Sequence, residues 1–305
     1  MSSTNPLVSV VVITYNSSKY IVETLNSVKK QTYKNIELII TDDCSTDNTV
    51  SVIKEWLSKN KAKFVCAKLI ESTINTGVTA NYNRGIEVAA GIWIKGIAGD
   101  DIMLDNCIEC NLRYALDNPS DIIFSKVKYI GNDGDIVQNP PKLFHYGAFD
   151  LTRRQFTYKL LSGNFLPAAT SFMKKSLWLE LERFDENIPM QEDWCFWIKA
   201  QLASKRLCFV NEETVKYRIH QSSVSNRNNI SQKYLMSEKL AMQYSLRLQK
   251  KLSFLLWINN RLRYNALYKS HMWQYVYKIH RLFNPMAYYQ FYINRRAIYK
   301  TKYYE

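Results

Sequence analysis

Two adjacent carboxylates, Asp100 and Asp101, come directly after a short apolar segment at residues 91–99 that is typical of a buried strand. Side chains alternate in direction along a strand, so one carboxylate can face the polar groups of a ligand while its neighbour faces a metal. Mg²⁺ and Mn²⁺ bind carboxylate oxygens and leave coordination positions open for phosphate oxygens. An isolated Asp-Asp pair is more often a solvated turn, so the remaining sequence must support a site of this kind.

Two earlier polar turns have the same relation to an apolar, β-branched segment. A Tyr-Asn pair at residues 15–16 follows the segment 7–14, and an Asp-Asp pair at 42–43 follows the segment 36–41. Strand and helix patterns alternate four times up to Asp101, which predicts a mostly parallel sheet with right-handed crossovers. Ligands of such sheets bind outside the carboxyl ends of the strands. The three turns therefore predict a nucleotide and metal site on one rim of the sheet.

Several motifs that would indicate other sites are missing from the sequence. No GxGxxG follows the first strand and no GxxxxGK[ST] occurs, which argues against a dinucleotide site and a P-loop. The six cysteines include one CxxC, Cys107 and Cys110, without a second Cys or His pair at zinc spacing, so reduced and packed thiols are expected.

Beyond Asp101 the pattern is less regular. Residues 131–134 predict a hairpin turn, and residues 138–150 predict a mobile loop. Residues 191–193 open a helix that is followed by two short strands ending near residue 220. Favourable interaction with a helix N-terminus would by itself explain the acids at 192 and 193. A histidine such as His220, taken alone, is more often packed or solvated than a ligand.

The net charge of +14 is concentrated in the last part of the chain. Residues 221–305 hold fifteen Lys and Arg against two acidic residues, a net charge of +13, in a helical pattern dense in Tyr, Trp and Phe. Basic residues interleaved with amphipathic aromatic rings suit an anionic membrane surface, contacted through residues 230–305. The alternative is a helical subdomain that packs on the catalytic domain and has a solvated charge. No segment has the length of a membrane span and no signal peptide is evident at the N-terminus, which predicts a cytoplasmic location.

These motifs, in this order, resemble the family 2 glycosyltransferases of GT-A fold. The resemblance is carried by Val8 to Asn16, Ile39 to Asp47, Asn75-Thr76-Gly77 with Asn83-Arg84-Gly85, Gly99-Asp100-Asp101, Glu192-Asp193 and His220. It implies an α/β, Rossmann-like, mostly parallel sheet with flanking helices, plus a basic, aromatic-rich helical C-terminal region. The implied boundaries are a GT-A domain at 1–225 and a C-terminal region at 226–305 that associates with membrane or acceptor.

The resemblance also implies a role for each matching residue. Asp43 would hydrogen-bond the base, Tyr15 would bound the nucleotide, and Asp100 would contact the ribose or donor sugar. Asp193, paired with Glu192, would be the catalytic base. The implied nucleotide-binding set is Thr14, Tyr15, Asn16, Asp42, Asp43, Asn75, Gly77, Arg84 and Asp100, and the implied ligands of Mn²⁺ or Mg²⁺ are Asp101 and His220.

The implied reaction is inverting transfer of a hexosyl or N-acetylhexosaminyl group from a UDP-linked donor to a hydroxyl of a lipid-linked glycan. The implied setting is O-antigen or capsule biosynthesis on the inner face of the cytoplasmic membrane. Many family members carry a further acid where this chain has Ala98, so the donor-sugar side of the pocket is less predictable.

Three alternatives stay open at this point. The basic aromatic tail could bind nucleic acid, which the acidic rim disfavours, so no nucleic acid partner is expected. Paired carboxylates could belong to a glycoside hydrolase, although adjacent acids at a strand end favour a nucleotide and metal site. The chain could also be an inactive scaffold of the same fold.

Overall fold

A computed structural model describes residues 5–138, 144–220, 232–269 and 271–301. The chain forms two compact units. The first comprises Met1–Pro141, Pro167–Met190 and Lys205–Ile230, and the second comprises Lys142–Leu166, Gln191–Ser204 and Ser231–Glu305. The boundary between 225 and 226 lies outside the described residues and stays a prediction, but these units group the chain differently. Two segments from within 1–225 join the C-terminal helices in the second unit.

The first unit is built on one eight-stranded sheet, in the order β3-β2-β1-β4-β7-β6-β8-β5. The strands are β1 (Val8–Thr14), β2 (Ile36–Asp42), β3 (Cys66–Glu71), β4 (Trp93–Ala98), β5 (Ile102–Met103), β6 (Ile122–Ile130), β7 (Phe172–Lys174) and β8 (Leu207–Arg218). The first four run parallel, with Val8 of β1 paired with Ile36 of β2 and Trp93 of β4. The predicted parallel sheet is therefore confirmed for this half.

The other half of the sheet is mixed. Strand β7 lies antiparallel between β4 and β6, β6 and β8 are parallel, and β5 pairs antiparallel with β8. The two short strands predicted after residue 203 are one strand, β8, whose pairing with β6 shifts register near Lys126. This prediction was wrong because polar residues inside a bulged strand resemble a turn. The predicted hairpin turn is confirmed by the antiparallel bridge between Ile130 and Ile136.

Helices cover the sheet because its central strands are apolar on both faces. Val8, Val10 and Val12 of β1 are fully buried, as are Leu38 and Ile40 of β2. Strands buried on both faces read as continuous hydrophobic runs. The helices of this unit are α1 (Ile21–Lys29), α2 (Thr49–Asn60), α3 (Val78–Glu87), α4 (Cys107–Asp117) and α6 (Lys175–Glu180). All six cysteines are free, and Cys107 and Cys110 are buried on α4, as expected.

The second unit is helical. Its elements are a 3-10 turn (Tyr146–Asp150), α5 (Arg153–Ser162), α7 (Glu192–Leu202), α8 (Gln232–Leu252), α9 (Phe254–Tyr268), α10 (His271–Phe283) and α11 (Pro285–Thr301). Helix α5 begins with a capping box between Thr152 and Gln155. Helix α8 packs on α5, α7 and α9, and α11 packs on α5 and α9. No helix within the described ranges is long and apolar enough to cross a membrane.

Amide side chains link the helices inside this unit. Asn260 of α9 donates to Gln249 of α8 at 2.9 Å and to Ser162 at the end of α5 at 3.2 Å. Gln290 of α11 donates to the same Ser162 hydroxyl at 2.5 Å. Buried polar groups need such partners, and a satisfied network selects one packing arrangement.

The mobile loop predicted at 138–150 is wrong for its second half. Tyr146, Gly147 and Ala148 are buried, and the Gly147 amide donates to Thr301 Oγ1 of α11 at 2.9 Å. Residues 139–143 of that prediction lie outside the described residues. The Pro pair and the polar residues of this segment suggested a loop. The local sequence gives no sign that the distant helix α11 covers the turn at 146–150.

Gly147 provides a test of this packing. A Cβ added there would lie 2.4 Å from both Ala297 O and Thr301 N, which are backbone atoms of α11 and cannot rotate away. We expect Gly147→Ala to lower the free energy of unfolding by about 1–3 kcal/mol, the usual cost of overpacking. Thermal unfolding and hydrogen exchange of α11 would measure the effect.

The matched control is Gly163→Ala in the same unit, where the added Cβ would meet no atom within 4 Å. Unchanged exchange in α11 for the Gly147 variant would contradict the close approach.

Candidate functional site

The turn after β2 is organised by the buried carboxylate of Asp42. Its Oδ1 accepts from the Ser45 backbone N–H at 2.8 Å, and its Oδ2 accepts from the Thr14 hydroxyl at 2.9 Å and the Ser45 hydroxyl at 2.5 Å. Thr14 ends β1, so this carboxylate joins the carboxyl ends of two neighbouring strands. Asp42 and Thr14, both predicted to bind nucleotide, thus shape the rim itself.

Asn16 connects the same two turns from the other side. The Asn16 side-chain oxygen accepts from the backbone N–H of Thr46 at 2.8 Å, and the Asn16 backbone N–H donates to Ser45 Oγ at 2.8 Å. Asn16 adopts a left-handed conformation with φ of 49°, and Cys44 does so with φ of 66°. Such backbone conformations persist only where surrounding contacts fix them. Tyr15, next to Asn16, is 48% exposed and is free of the strand packing.

Asp43 holds the N-terminus of α3. Its carboxylate accepts from the Thr76 N–H at 3.0 Å, the Thr76 hydroxyl at 2.6 Å and the Gly77 N–H at 2.6 Å. Gly77 has a φ of 90°, which favours glycine at the residue before the helix. Arg84 of α3 donates to Thr76 Oγ1 at 2.8 Å and lies 3.7 Å from Asp43 Oδ1. The structure therefore brings together Asp43, Gly77 and Arg84, three of the residues implied to bind nucleotide, and Asn75 is exposed.

The Asp100-Asp101 turn is held by Arg218, the last residue of β8. The Arg218 backbone N–H donates to Asp101 Oδ1 at 2.9 Å, and its Nε donates to the Asp100 carbonyl at 2.8 Å. Its guanidinium also donates to the Gly131 carbonyl and forms an ion pair with Glu23 of α1. Arg218 is buried and was missed by the sequence analysis. The only feature of the sequence that could have indicated Arg218 was its position two residues before His220.

Asp101 is only 3% exposed, and its carbonyl accepts from the Thr24 hydroxyl at 2.7 Å. Burial, followed by the neighbouring charge of Asp100, raises the pKa of the Asp101 carboxyl well above its usual value. The backbone hydrogen bond from Arg218 acts in the opposite direction. A nearby divalent cation would reverse this balance and favour the ionised carboxylate.

Asp100 and His220 face each other. His220 Nε2 lies 2.9 Å from Asp100 Oδ2, and the imidazole stacks on the Tyr20 ring at 5.4 Å between centroids. Both side chains are partly exposed. Among the residues with described positions, no group of three or more His, Cys, Asp or Glu is arranged to hold a metal ion. Mg²⁺ is commonly bound by one or two carboxylates together with substrate phosphates, so this donor set fits a metal shared with a diphosphate.

Asp193 lies in the second unit, at the first turn of α7 beside Glu192, which is buried. Burial raises the pKa of the Asp193 carboxyl from 3.8 to about 6, and hydrogen bonds, the first of them from Asn164, oppose the rise. Asn164 Nδ2 donates to Asp193 Oδ2 at 2.8 Å, while Asn164 Oδ1 accepts from the Leu166 N–H at 3.2 Å. In the folded protein the Asp193 carboxyl keeps its proton up to about pH 6, whereas in the unfolded chain it loses the proton near pH 4. The contribution of this group to the free energy of unfolding is therefore lost as the pH rises from about 4 to about 6.

The first unit contains every predicted nucleotide and metal residue. They lie at the ends of β1 and β2 and in the turns that follow, in the turn after β4, between β3 and α3, on α3 itself in the case of Arg84, and just after β8. Both predicted catalytic acids, Asp193 and Glu192, belong to the second unit. Two residues with structural roles at the site were missed besides Arg218. Asn81 of α3 donates to the Thr14 and Thr41 carbonyls, and Asn164 contacts Asp193. Asn residues at such places give no distinctive sequence pattern.

The sequence profile of the family described as "Glycosyl transferase family 2" matches residues 9–178. The chain belongs to this family. It is therefore a glycosyltransferase, and its sheet with flanking helices is the GT-A fold. The match extends over the turns after β1, β2, β3 and β4 and ends before the residues of α7 and β8.

Similar proteins come from several bacteria. An "Uncharacterized glycosyltransferase" from Haemophilus influenzae is 32% identical over 242 residues, covering 74% of this chain and 70% of that protein. "UDP-Glc:alpha-D-GlcNAc-diphosphoundecaprenol beta-1,3-glucosyltransferase WfgD" from Escherichia coli is 27% identical over 223 residues, covering 72% of this chain and 80% of that protein.

Among solved structures, the crystal structure of S. aureus TarS 1-349 in complex with UDP-GlcNAc superposes with a TM-score of 0.62. It is 20% identical in sequence, and the superposition covers 96% of this chain and 89% of that chain. At this identity the similarity shows the fold.

The Asn164–Asp193 contact predicts a measurable titration. Asn164→Ala removes a donor to the ionised carboxylate, so we expect the pKa of Asp193 to rise above about 6. The loss of one hydrogen bond to a charged group corresponds to about one pKa unit. Carbon-detected NMR of aspartate-labelled protein would measure it.

Asn187→Ala is the matched control, because the Asn187 amide bonds the carboxylate of Asp185 at 3.0 Å and not that of Asp193. An Asp193 titration that is the same with and without the Asn164 amide would show that this contact does not influence the carboxyl group.

Proposed function

We propose that this glycosyltransferase is inverting and metal-dependent. The donor is a nucleotide sugar, UDP-linked, and the acceptor is a hydroxyl of a lipid-linked glycan in surface polysaccharide biosynthesis, of O-antigen or capsule type. The observation that carries the proposal is the placement of Asp43, Asp100 and His220 just after β2, β4 and β8, at the carboxyl ends of these strands. In α/β sheets this edge is where ligands bind.

The donor class is supported by two similar proteins. The name of WfgD includes UDP-Glc, and the TarS structure contains UDP-GlcNAc. In this chain Tyr15 is exposed on the rim and can stack on a base, while Asp43 is fixed by Thr76 and Gly77. A carboxylate has about four lone-pair sites and three donors occupy it here, so it can accept one more N–H, such as that of uracil.

The acceptor class is supported by the WfgD name, which gives a GlcNAc linked to diphosphoundecaprenol. An alcohol is a poor nucleophile at neutral pH, so a base must remove its proton as it attacks. We assign this role to Asp193, with Glu192 beside it. The acceptor oxygen bonds to the anomeric carbon while the bond to the diphosphate breaks, and the acceptor proton passes to Asp193. A single displacement inverts the anomeric centre.

The leaving diphosphate gains negative charge, which positive groups must offset. Asp101 and His220, with Asp100 beside them, would hold Mn²⁺ or Mg²⁺ on that side. Such an ion, when bound, neutralises the charge on the departing oxygens. Arg218 positions Asp100 and Asp101 through its hydrogen bonds to both residues.

The C-terminal helices would place the enzyme near its lipid-linked acceptor. We propose peripheral association of residues 230–305 with the inner face of the cytoplasmic membrane, which the net charge of +13 over residues 221–305 favours. We assign no nucleic acid partner.

A nucleotide-sugar panel with thermal unfolding tests the donor and the metal. A ligand that binds only the folded state stabilises it by about 2.7 kcal/mol at a hundred times its Kd. We expect the melting temperature to rise with a UDP-sugar and Mn²⁺, and the rise to shrink when EDTA is added.

His220→Ala should reduce the metal-dependent part of this rise, whereas His280→Ala, a histidine on α10, should leave it unchanged. No rise with any nucleotide sugar would refute the donor site. A full rise in EDTA would refute the metal.

Replacing the proposed base tests the chemistry separately. Asp193→Asn keeps the shape of the side chain and cannot accept the proton, so we expect kcat to fall by about 10²- to 10⁴-fold, with donor stabilisation unchanged. Asp185→Asn, a partly buried aspartate of the first unit bonded to Asn187, is the control.

For the wild-type enzyme, we expect the rate to rise with pH through about 6, because the base must be ionised and burial raises its pKa to about that value. The transfer rate from UDP-sugar to a soluble acceptor analogue, measured from pH 5 to pH 8, is the readout. Near-normal turnover of Asp193→Asn would exclude the assignment.

A further inference from the structure

Helix α10 carries an apolar face that is turned to solvent. Positions 272, 276, 279 and 283 follow the i, i+4, i+7, i+11 spacing of one helix face, and positions 275 and 282 flank it. Ile279, at the centre of this face, is 59% exposed and Phe283 is 81% exposed. The residues of the α10 apolar face are Met272, Tyr275, Val276, Ile279, Leu282 and Phe283.

The other sides of α10 are of different character. Trp273, Tyr277 and His280, also at i, i+4, i+7 spacing, are half-buried, and the helix packs against α9. Lys278 and Arg281 lie on the remaining side and are exposed. Helix α10 thus packs on its own unit through the side that carries Trp273, Tyr277 and His280, and not through its apolar face.

We propose that the α10 apolar face binds an anionic lipid surface, with its apolar side chains between the headgroups and Lys278 and Arg281 at the level of lipid phosphates. Exposed contiguous apolar surface bordered by polar residues marks an interaction site. A helix with one apolar and one basic side lies in the plane of a membrane interface. The inference rests on the proposed function, since it names the element by which the enzyme reaches a lipid-linked acceptor.

The positive charge of this part of the chain indicates which partner the α10 apolar face binds. Between residues 239 and 304 the sequence has no acidic residue, and residues 221–305 carry a net charge of +13. A second copy of this chain would bring the same positive charge to the contact, and like charges repel. Anionic headgroups attract it.

The chemistry of the α10 apolar face also favours lipid over single-stranded nucleic acid. Four of its six side chains, at 272, 276, 279 and 282, are aliphatic. Bases bind to aromatic platforms, whereas aliphatic side chains gain by burial among acyl chains. With 13 residues α10 is too short to span a bilayer, which suits a helix that lies along the interface.

Vesicle sedimentation with the full-length protein tests the proposal. Vesicles of phosphatidylcholine with phosphatidylglycerol are compared with vesicles of phosphatidylcholine alone. We expect the wild-type protein to sediment with the anionic vesicles, and Ile279→Glu to bind at least about tenfold more weakly, because it removes one buried apolar side chain and adds a negative charge.

Gln274→Glu is the matched control, since it adds the same charge on the polar side of α10, and we expect its affinity to fall less than about threefold. Ile279→Ser removes the apolar side chain without the charge and should weaken binding in the same direction. Equal melting temperatures would show that the variants fold.

Several results would overturn the proposal. Binding of Ile279→Glu as tight as the wild type, or wild-type binding that is absent or independent of phosphatidylglycerol, would exclude this face as a lipid contact. A wild-type dimer in ultracentrifugation that Ile279→Glu dissociates would instead assign the face to a second copy. Binding to a random oligonucleotide, lost in Ile279→Glu while vesicle binding is unchanged, would assign it to nucleic acid.

The outcome for α10 is separable from that for the transferase. Stabilisation by UDP-sugar is measured without vesicles and should be the same in the wild type and in Ile279→Glu. Vesicle binding without any response to nucleotide sugar would leave the lipid contact intact and refute the donor site.

Discussion

The buried guanidinium of Arg218 holds together the part of the site with the most charge. A charge removed from water is costly unless its donors are all satisfied, and here carbonyl oxygens and the carboxylate of Glu23 accept them. Because the Arg218 backbone also donates to Asp101, the end of β8 cannot move without disturbing the turn after β4. The position of His220, two residues further on, follows from the same anchor.

The acidic residues on the rim of the sheet are of two kinds, which differ in the groups that hydrogen-bond to their carboxylates. Asp42 and Asp43 are buried and take hydrogen bonds from backbone N–H groups of the turns that follow β2 and β3. Asp100 is partly exposed, and its carboxylate faces an imidazole that can change partner. The proposed binding of a diphosphate would use both kinds, because fixed carboxylates keep the turns in place while an exposed one can exchange ligands. The acids therefore serve the fold and the proposed chemistry together.

The sequence was sufficient for the parallel half of the sheet and for the turns at its carboxyl edge, because both depend on local pattern. Continuous β-branched runs can only be strands buried on two faces, and parallel strands must end on one edge. Asp43 and Asp100 could be found because they come directly after such runs. Arg218 and Asn164 could not, since their importance lies in contacts with residues more than 20 positions away. The turn at 146–150 was misassigned for the same reason, because its burial comes from α11.

The helical unit has polar side chains among the buried apolar residues between its helices. Its interior includes Ser162, Gln249, Asn260 and Gln290, whose hydrogen bonds to one another cross four helices. The hydrogen bonds among these side chains restrict how the helices can pack, and each amide takes a position that an apolar side chain could have filled. Other aromatic and aliphatic residues of this unit lie on its surface, as they do on α10. In water such a surface is a cost to solubility, and the fifteen basic residues within residues 221–305 offset it. At an anionic interface the same surface and the same charges would both become favourable, which is the physical basis of the lipid contact proposed for α10.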